Sequence, residues 1–503
     1  MKLPQLLYSA EQVRALDRCA IDEFNTPGID LMERAGAATF HAIRQHWPRG
    51  RRFSVFCGGG NNGGDGFVIA RLAAEAGLDV RVYLLTEESW LKGDARLAFD
   101  RMAQAAVPVE ASTEQYDGNT DIIVDALLGT GLSGEVEGKW KTAIEWINMQ
   151  RKNGCRVAAV DIPSGLHADS GQLLGDAVRA DLTVTFIGLK MGLLTAMGPE
   201  CSGELVFDDL QVNPEVYHRI PHSARRLTKN IINAFFVKRP RYSHKGDHGH
   251  VLIVGGNYGM AGAVRLAGEA ALRCGAGLVS IACRPEHVAA VVAQRPELMC
   301  HALDSDLRQL SKKLKKLIQS ADCIVVGPGL GQDDWARQIF SVVRETTLPT
   351  IVDADALNLL AKDSDGKQRN KWILTPHPGE ASRLLQTTSQ VIQSSRFEAI
   401  KNLQTRYGGT IILKGNGSLV MDSEGNISVC TAGNPGMGSA GMGDVLSGVL
   451  AACVAQTGEI DLSAQVATLV HALAADLATS ATGERGLIAS DLFGYLHQLV
   501  NPR

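Results

Sequence analysis

Hydrophobic and polar positions in the first half of the chain alternate in blocks that predict strands followed by amphipathic helices. Residues 52–85 read as an apolar strand, the glycine-rich loop GGGNNGGDG, an amphipathic helix and a second strand. More apolar strands, each ending in a polar or glycine-rich turn, are predicted in residues 121–134, 156–171 and 180–192. Such alternation is typical of a mostly parallel sheet covered by helices, which binds ligands beyond the carboxyl ends of its strands.

The same alternation restarts at His250, after a stretch with prolines and basic residues but no sustained period. Short strands are expected in residues 250–254, 322–331, 349–360, 371–380 and 410–422, and helices over 443–456 and 462–479. We therefore expect two α/β domains, at residues 1–218 and 241–503, joined by a linker at 219–240. The basic linker could bind an acidic partner, although a solvated connection fits the nearly neutral chain better.

Length and composition agree with this division, because one hydrophobic core rarely extends beyond about 300 residues and the chain has 503. Charged residues make up 21% with a net charge of -4, which gives no reason to expect nucleic acid or a membrane as partner. Ten cysteines without a CxxC pair favour reduced thiols in the cytoplasm. The N-terminus lacks a signal-peptide core, and no run approaches the roughly 18 apolar residues of a membrane span.

The most informative stretch for chemistry is residues 433–448, GNPGMGSAGMGDVLSG, where a glycine-rich loop leads into a helix. Main-chain amides at the start of a helix bind phosphate oxygens, and Gly441, Met442 and Gly443 take that position. Asp444 beside them would repel phosphate unless it removes a proton from an attacking hydroxyl. The arrangement predicts phosphoryl transfer to a small alcohol, with a flexible surface loop as the alternative.

Polar side chains in the first half gather where predicted strands end. The amides of GGGNNGGDG can hold a phosphate or diphosphate, and Asn61, Asn62 and Asp65 suit ribose hydroxyls or a monovalent cation. Three more positions follow later strands: Asp125, Asp161 and Ser164. In a doubly wound sheet these ends meet in one crevice, where acids could bind a cation or act as a general acid or base. Each aspartate alone could equally cap a helix or form a turn.

Two turns in the second half also carry polar groups. KGNGS, residues 414–418, could hold a nucleotide through its amides and Lys414, or could be an ordinary turn. TPHPGE, residues 375–380, places Glu380 where it could organise magnesium through water, although its prolines also make a rigid turn. The histidines of SHKGDHGH, residues 243–250, lack cysteine support and helical spacing, which disfavours a zinc site.

Together these strings resemble the bifunctional NAD(P)H-hydrate repair enzymes, over essentially the whole chain and in the same domain order. GGGNNGGDG, VDALLGTGLSGE, AVDIPSGL and PGIDLMERAG resemble the epimerase domain. HKGDHGHVLIVGG, VVGPGLG, VDADALN, LTPHPGE, LKGNGS and GNPGMGSAGMGD resemble the ADP-dependent dehydratase domain. The resemblance implies a Rossmann-like three-layer α/β/α domain followed by a ribokinase-like α/β domain, in an enzyme that self-associates.

For the first domain, the resemblance implies that Asp161 acts on a bound hydrated dinucleotide and that the domain also binds potassium. The implied substrate contacts are Asn61, Asn62, Gly63, Gly64, Asp65, Gly129, Thr130, Gly131, Leu132, Ser133, Gly134, Glu135 and Asp161. The implied potassium ligands are Asn62, Asp125 and Ser164.

For the second domain, the resemblance implies ADP as co-substrate, and we expect magnesium with it. The implied nucleotide contacts are Lys414, Gly415, Asn416, Gly417, Ser418, Gly441 and Gly443, and the implied hydrate contacts are Ala263, Gly329, His377 and Asp444. Many vitamin and sugar kinases of this fold carry an Asn-x-x-Glu motif where this chain has His377 and Glu380. That departure favours a dehydratase over a simple kinase.

A reaction follows from these expectations. Asp444 takes the proton from the hydroxyl of the hydrated nicotinamide ring, the oxygen attacks the ADP phosphoryl group, and phosphate leaves, pushed by the ring nitrogen. NADH or NADPH, AMP and phosphate result from the S epimer. Loss of the hydroxyl assisted by an acid such as Asp161 would give a planar cation that water can attack from either face, which interconverts the epimers.

Two other functions stay open at this stage: a vitamin or sugar kinase fused to a sensor domain, and a first domain that binds without turnover, as in RNA-decapping scaffold proteins. The intact acids Asp65, Asp125 and Asp161 disfavour the second. The sequence leaves undecided the choices between ADP and ATP and between the two hydrates, the oligomeric state, and any coupling of the sites.

Overall fold

The computed structural model describes residues 3–111, 116–293, 295–363 and 366–501. The chain divides into two compact units, residues 1–225 and 226–503. Each contains strands alternating with helices, which confirms the expected α/β class.

The first unit is built on a parallel sheet. Its strands are β1 (Leu6–Tyr8), β2 (Arg52–Cys57), β3 (Asp79–Leu84), β4 (Val109–Ala111), β5 (Ile122–Ala126), β6 (Arg156–Val160), β7 (Leu182–Phe186), β8 (Leu189–Lys190) and β9 (Glu204–Asp208). Its helices are α1 (Ala10–Asp22), α2 (Gly28–His46), α3 (Asn61–Glu75), α4 (Gly93–Gln104), α5 (Gly138–Lys152), α6 (Gly198–Ser202) and α7 (Val216–Arg219).

Seven of these strands form the main sheet in the order β4-β3-β2-β5-β6-β7-β9, and all neighbours are parallel. Every residue of β5 is buried, because apolar clusters cover both faces of the sheet and leave no side for polar alternation. The strand order reverses between β2 and β5. At such a switch point the loops after the two strands diverge and leave a crevice at the carboxyl edge.

The second unit repeats this construction with a larger share of helix. Its strands are β11 (His250–Val254), β12 (Leu278–Cys283), β13 (Met299–Ala302), β14 (Cys323–Val326), β15 (Thr350–Val352), β16 (Trp372–Leu374), β17 (Thr410–Leu413), β18 (Ser418–Met421) and β19 (Ile427–Cys430), after β10 (Ala224–Arg226) at the unit boundary. Its helices are α8 (Asn230–Phe235), α9 (Ala261–Arg273), α10 (Val288–Ala293), α11 (Leu307–Ile318), α12 (Asp334–Val343), α13 (Ala354–Lys362), α14 (Pro378–Leu385), α15 (Ser389–Ser394), α16 (Arg396–Tyr407), α17 (Met442–Thr457), α18 (Ile460–Thr482) and α19 (Leu492–Leu499).

In this unit the order β13-β12-β11-β14-β15-β16-β17 is parallel, and β18 and β19 continue it as antiparallel strands. The order reverses between β11 and β14, so the loops after β14, β15, β16 and β17 share one carboxyl edge. Helix α17 packs along α9 in the core beside them.

The sequence predicts no apolar run long enough to span a membrane, but α18 contains one. Within the described residues, the segment Ile460–Ser480 of this helix is long enough and apolar enough to cross a membrane, judged by length and composition alone. However, 67% of its most apolar window is buried inside the protein. The apolar composition is accounted for by packing, because α18 lies in the core formed with α17 and α19.

The stretch expected to be a solvated linker contains ordered elements. β10 and α8 fall within residues 219–240, and Leu227 and Ile232 are buried in the core of the second unit. Residues 219–240 are too few to show a hydrophobic period, so the sequence pattern could not predict which of them are buried. The domain bounds at 218 and 241 remain a prediction.

Candidate active sites

The first unit contains a cavity of about 720 Å³ at the carboxyl edge of its sheet. Predicted substrate contacts that line it are Asn61, Asn62, Asp65, Gly129, Thr130, Gly131, Leu132, Ser133, Gly134, Glu135 and Asp161. The other two, Gly63 and Gly64, are buried in the first turn of α3. A Cβ on Gly63 would lie 2.0 Å from the Gly58 carbonyl oxygen, so this loop can close only with glycine there.

A buried ion pair at the wall of this cavity was not indicated by the sequence pattern. Lys190 Nζ donates to Asp161 Oδ1, to Thr185 Oγ1 at 3.0 Å and to the Phe186 carbonyl oxygen at 3.2 Å. The Lys190 side chain is fully buried, and the Asp161 backbone has a φ of 65°. Such conformations are uncommon outside glycine and are often kept at functional sites. The lone lysine in the apolar run TVTFIGLKMGLL was the available signal.

Two more carboxyl groups in the cavity have raised pKa values. Burial raises the pKa of Asp17 to about 6, with Lys190 opposing the rise and Asp161 adding to it. Burial, together with the charges of Asp161 and Asp17, raises the pKa of Asp65 well above its ordinary range. Because one lysine faces three carboxyl groups, the carboxyls it does not bind retain protons more readily. Asp17 lies on α1, far from the glycine loop in sequence, and was outside the predicted set.

The implied potassium ligands provide oxygen atoms suited to a monovalent cation. Ser164 Oγ donates to Asp125 Oδ1 at 2.6 Å, and the Ser164 N–H donates to Oδ2 at 2.8 Å. Burial raises the pKa of Asp125 to about 6, although these hydrogen bonds lower it. Within the described residues, the buried side-chain nitrogen and oxygen of Asn62 have no hydrogen-bond partner. Buried amides are normally satisfied, so Asn62 fits a position that a ligand or ion completes.

In the second unit, Asp353 follows β15 and accepts three hydrogen bonds. Its Oδ1 accepts from Thr375 Oγ1 at 2.7 Å and from Lys414 Nζ at 3.0 Å, and its Oδ2 accepts from Ser447 Oγ at 2.8 Å. Burial acts to raise the pKa of Asp353, but Lys414 and these hydrogen bonds hold it below its ordinary value. Asp353 therefore stays ionised and fixes the position of Lys414. Asp353 lies in the string VDADALN, on which the family resemblance partly rests, but the sequence did not predict it as a site residue.

Asp444 lies in the first turn of α17, as the sequence predicts. Burial raises the pKa of Asp444 to about 7, with Asp353 and Asp355 adding to the rise and Lys414 opposing it. Within the described chain, no side chain caps this helix, which begins after Gly441 at a φ of 89°. The first N–H groups of a helix have no acceptor inside it, so these amides are suited to an anion. A carboxyl titrating near neutral pH beside an anion site is suited to take a proton during phosphoryl transfer.

The predicted nucleotide loop, residues 414–418, is supported from within the protein by Arg396. The buried guanidinium donates to the carbonyl oxygens of Lys414 at 3.3 Å, Leu413 at 3.2 Å and Gly417 at 3.3 Å. A Cβ on Gly415 would lie 2.6 Å from Arg396 Nη1, which explains glycine at that position. Burial lowers the pKa of Arg396 to about 10, so the group remains charged at neutral pH. Arg396 thus shapes this loop and places positive charge behind it.

His377 and Glu380 form the N-terminal cap of α14. Glu380 Oε2 accepts from the His377 N–H at 2.8 Å and lies 3.8 Å from Lys414 Nζ. Burial lowers the pKa of His377, with the positive charges of Lys414 and Arg383 lowering it further. In the part of the chain that the structure describes, no group of three His, Cys, Asp or Glu side chains is arranged to hold a metal ion.

Ala263 and Gly329, the remaining implied hydrate contacts, adjoin each other. A Cβ on Gly329 would lie 3.2 Å from the Ala263 Cβ. Two residues later, the Gly331 N–H donates to Asp355 Oδ2 at 2.8 Å, and Asp355 is one of the charges that act on Asp444. A hydrogen bond therefore joins the glycine loop after β14 to Asp355, whose charge acts on Asp444 at the start of α17.

The histidines of residues 243–250 are engaged in local contacts. His248 Nε2 and Ser243 Oγ are 3.0 Å apart, and His250 contacts the Ser320 carbonyl oxygen at 2.6 Å and Ser280 Oγ at 2.8 Å. The absence of a zinc site at this run stays a prediction.

Comparison with known proteins gives matches over both units. A family model described as NAD(P)H-hydrate dehydratase matches residues 251–498, and one described as YjeF-related protein N-terminus matches residues 28–192. The bifunctional NAD(P)H-hydrate repair enzyme of Coxiella burnetii is 47% identical over 99% of this chain and 100% of its own length. The enzyme of that name from Escherichia coli is 40% identical over 100% of this chain and 95% of its own.

Solved structures match about half of the chain. The ADP/ATP-dependent NAD(P)H-hydrate dehydratase from Bacillus subtilis, co-crystallised with ATP and Mg²⁺, is 29% identical with a TM-score of 0.50, over 54% of this chain and 96% of that one. A ribokinase-like superfamily protein from Enterococcus faecalis is 27% identical with a TM-score of 0.51, over 55% of this chain and 95% of that one. The ribokinase-like fold expected for the second domain is confirmed.

Proposed function

The chain belongs to the family of bifunctional NAD(P)H-hydrate repair enzymes, and we propose how its residues carry out that repair. Its N-terminal domain is an NAD(P)H-hydrate epimerase and its C-terminal domain is an NAD(P)H-hydrate dehydratase. We infer that the first interconverts the R and S hydrates and that the second converts the S hydrate and ADP to NAD(P)H, AMP and phosphate. The observation that carries the assignment of residues is the Asp444 carboxyl, whose pKa is raised to about 7 at the start of α17.

In the dehydratase, Asp444 removes the proton of the ring hydroxyl as its oxygen attacks the terminal phosphoryl group of ADP. The amides of Gly441 and Gly443 and the ammonium group of Lys414 stabilise negative charge on the phosphoryl oxygens. AMP leaves, and the hydroxyl has become a phosphate ester. The electron pair of the ring nitrogen then expels phosphate and leaves an iminium cation. This cation loses the proton that hydration had added to the neighbouring ring carbon, which restores the reduced ring. The oxygen of the added water ends in phosphate, and its two hydrogens leave as protons, the first of them through Asp444.

In the epimerase, an acid must release the ring hydroxyl and a base must receive a proton when water returns. We assign the acid to Asp17 or Asp65, because their raised pKa values favour the protonated form. Asp161 is assigned to face the planar cation as a carboxylate, anchored by Lys190. This proposal differs from the expectation that Asp161 is the acid, which stays a prediction; Asp161 Oδ1 accepts hydrogen bonds from Lys190 and from the Phe186 N–H.

Two ions accompany this proposal. Asn62, Asp125 and Ser164 would hold potassium, which supplies positive charge beside the dinucleotide loop when bound. Magnesium would accompany the ADP phosphates, with Glu380 reached through water. We further propose a self-associating cytoplasmic enzyme without nucleic acid or membrane partners, and its ten free cysteines support a reducing compartment.

The test is the recovery of NADPH absorbance from a mixture of R and S hydrates, with ADP, ATP or no nucleotide. Complete recovery that requires a nucleotide supports both assigned activities. Recovery of only the S fraction would contradict epimerisation and support a first domain that binds without turnover. A stable phosphorylated product without NADPH would contradict the dehydratase and support a kinase.

A further inference from the structure

The second unit contains another cavity, of about 430 Å³, that carries two cations. It is lined by Gln332, Asn358, Ala361, Lys362 and Arg383. Lys362 Nζ donates to Gln332 Oε1 at 2.5 Å, and Arg383 Nε donates to Asn358 Oδ1 at 2.6 Å. Amide oxygens are neutral, so these contacts orient the two cations without cancelling their charge. The cavity therefore offers positive charge and free N–H donors to a ligand.

This cavity borders the residues assigned to the hydrate. A Cβ on Gly379 would lie 3.8 Å from Arg383 Nη1, and the charge of Arg383 acts on the adjacent cap residue His377. On the opposite wall, Gln332 lies three residues after Gly329. The cations thus lie close to two of the four implied hydrate contacts, His377 and Gly329.

We propose that Lys362 and Arg383 bind a phosphate group of the hydrated dinucleotide in this cavity. The inference rests on the proposed dehydratase function, which places the nicotinamide ring at Asp444. The remainder of the dinucleotide must then extend away from α17, and its anionic groups are the diphosphate bridge and, in NADPH hydrate, the 2′-phosphate. A guanidinium and an ammonium group together are suited to a phosphate, since one offers a planar fork and the other a compact charge.

The sequence could not indicate this pocket. Lys362 ends α13 and Arg383 is near the end of α14, 21 residues later, and neither belongs to a motif. They meet only because α13 and α14 follow the adjacent strands β15 and β16 and pack side by side.

The inference is tested with the double variant K362Q/R383Q in the full-length enzyme. We expect the KM for at least one S hydrate to rise about tenfold, since contacts with a charged group are the strongest hydrogen bonds, while kcat and the KM for ADP stay unchanged. An equal rise for the NADH and NADPH hydrates assigns the diphosphate, and a rise for the NADPH hydrate alone assigns the 2′-phosphate. Unchanged KM values for both hydrates, or a rise confined to ADP, would overturn the proposal.

Two controls separate this inference from its premise. Lys401→Gln removes an exposed charge from α16 and should leave every constant unchanged. Titration of wild type and double variant with the products NADPH and NADH gives a readout without turnover, and thermal unfolding checks the fold. A wild type that recovers no NADPH from the hydrates contradicts the proposed function, whereas a working wild type matched by the double variant contradicts this inference alone.

Discussion

Each unit holds a lysine against one aspartate at the carboxyl edge of its sheet, Lys190 against Asp161 in the first and Lys414 against Asp353 in the second. The units differ in the carboxyl group beside that pair. In the first, burial and like charge raise the pKa values of Asp17 and Asp65, which favours proton donors. In the second, one carboxyl, Asp444, has a pKa near 7 beside the amides of a helix, which suits a base.

The comparison shows that both sites contain a lysine–aspartate ion pair, whereas the carboxyl groups beside the pair differ between the two sites. In both units burial and like charge raise the pKa values of these carboxyl groups, so the opposite proton-transfer roles that we propose come from the groups they face and not from the direction of the pKa shift. The two sites should therefore respond separately when either the pair or its neighbour is changed.

The largest effect is expected for Asp444→Asn. The amide keeps the shape of the carboxylate but cannot take the proton, so dehydration should slow by about 10²- to 10⁴-fold. Epimerisation should be unchanged. NADPH absorbance measures the first activity, and chromatographic separation of the epimers measures the second. A variant that loses both activities would show that the sites depend on each other, against the comparison drawn here.

Lys190→Gln should produce the converse result, with epimerisation reduced about 10²-fold because a positioned charge at the reacting centre is removed. Asp161 then loses its anchor, while dehydration of purified S hydrate continues at the wild-type rate. Lys152→Gln, an exposed lysine at the end of α5, is the matched control. An equal fall in both activities would indicate general unfolding and contradict the assigned role.

Arg396→Met tests the support of the nucleotide loop and should raise the KM for ADP about tenfold, since three carbonyl oxygens lose charged hydrogen bonds. The KM for the hydrate should change little. Arg396→Lys keeps the charge but lacks the planar fork, and we expect an intermediate value. Thermal unfolding identifies variants that remain folded. A folded variant with an unchanged KM for ADP would separate Arg396 from nucleotide binding.

The smallest effect concerns the pH dependence of the dehydratase. Because Asp444 must lose its proton to act as a base, kcat/KM should fall as pH drops below about 7 and level off above it. Asp355→Asn removes one of the negative charges that raise the pKa of Asp444, so the midpoint should move to lower pH by less than about one unit. Profiles measured in one buffer series would detect this shift. An upward shift would show that Asp355 does not act through its charge.

The sequence was sufficient to predict elements that depend on the periodicity and glycine content of neighbouring residues. The helix predicted over residues 443–456 is α17, Met442–Thr457, and the GGGNNGGDG loop leads from β2 into α3 as expected. The order of strands and turns also indicated which aspartates end strands. By contrast, the ordered segment within residues 219–240 and the buried packing of the apolar α18 did not follow from periodicity.

The sequence could not predict the roles of residues whose partners are distant along the chain. Lys190 reaches Asp161 across 29 positions, and Arg396 on α16 reaches the carbonyl oxygens of Leu413, Lys414 and Gly417. A lysine in an apolar run and an arginine at a helix start are ordinary in sequence. Their roles follow from the groups that packing places around them.

Local composition and spacing by themselves determined that this protein has two α/β units, and where the glycine-rich loops and the Asp444 helix begin, because periodicity and glycine placement depend on neighbouring residues. Only the tertiary structure decided which carboxyl faces which lysine, and the proton-transfer roles that we propose depend on that placement. The physical reason is that interactions between charges depend on separations of a few ångströms and on burial, and both are set by strands and helices far apart along the chain.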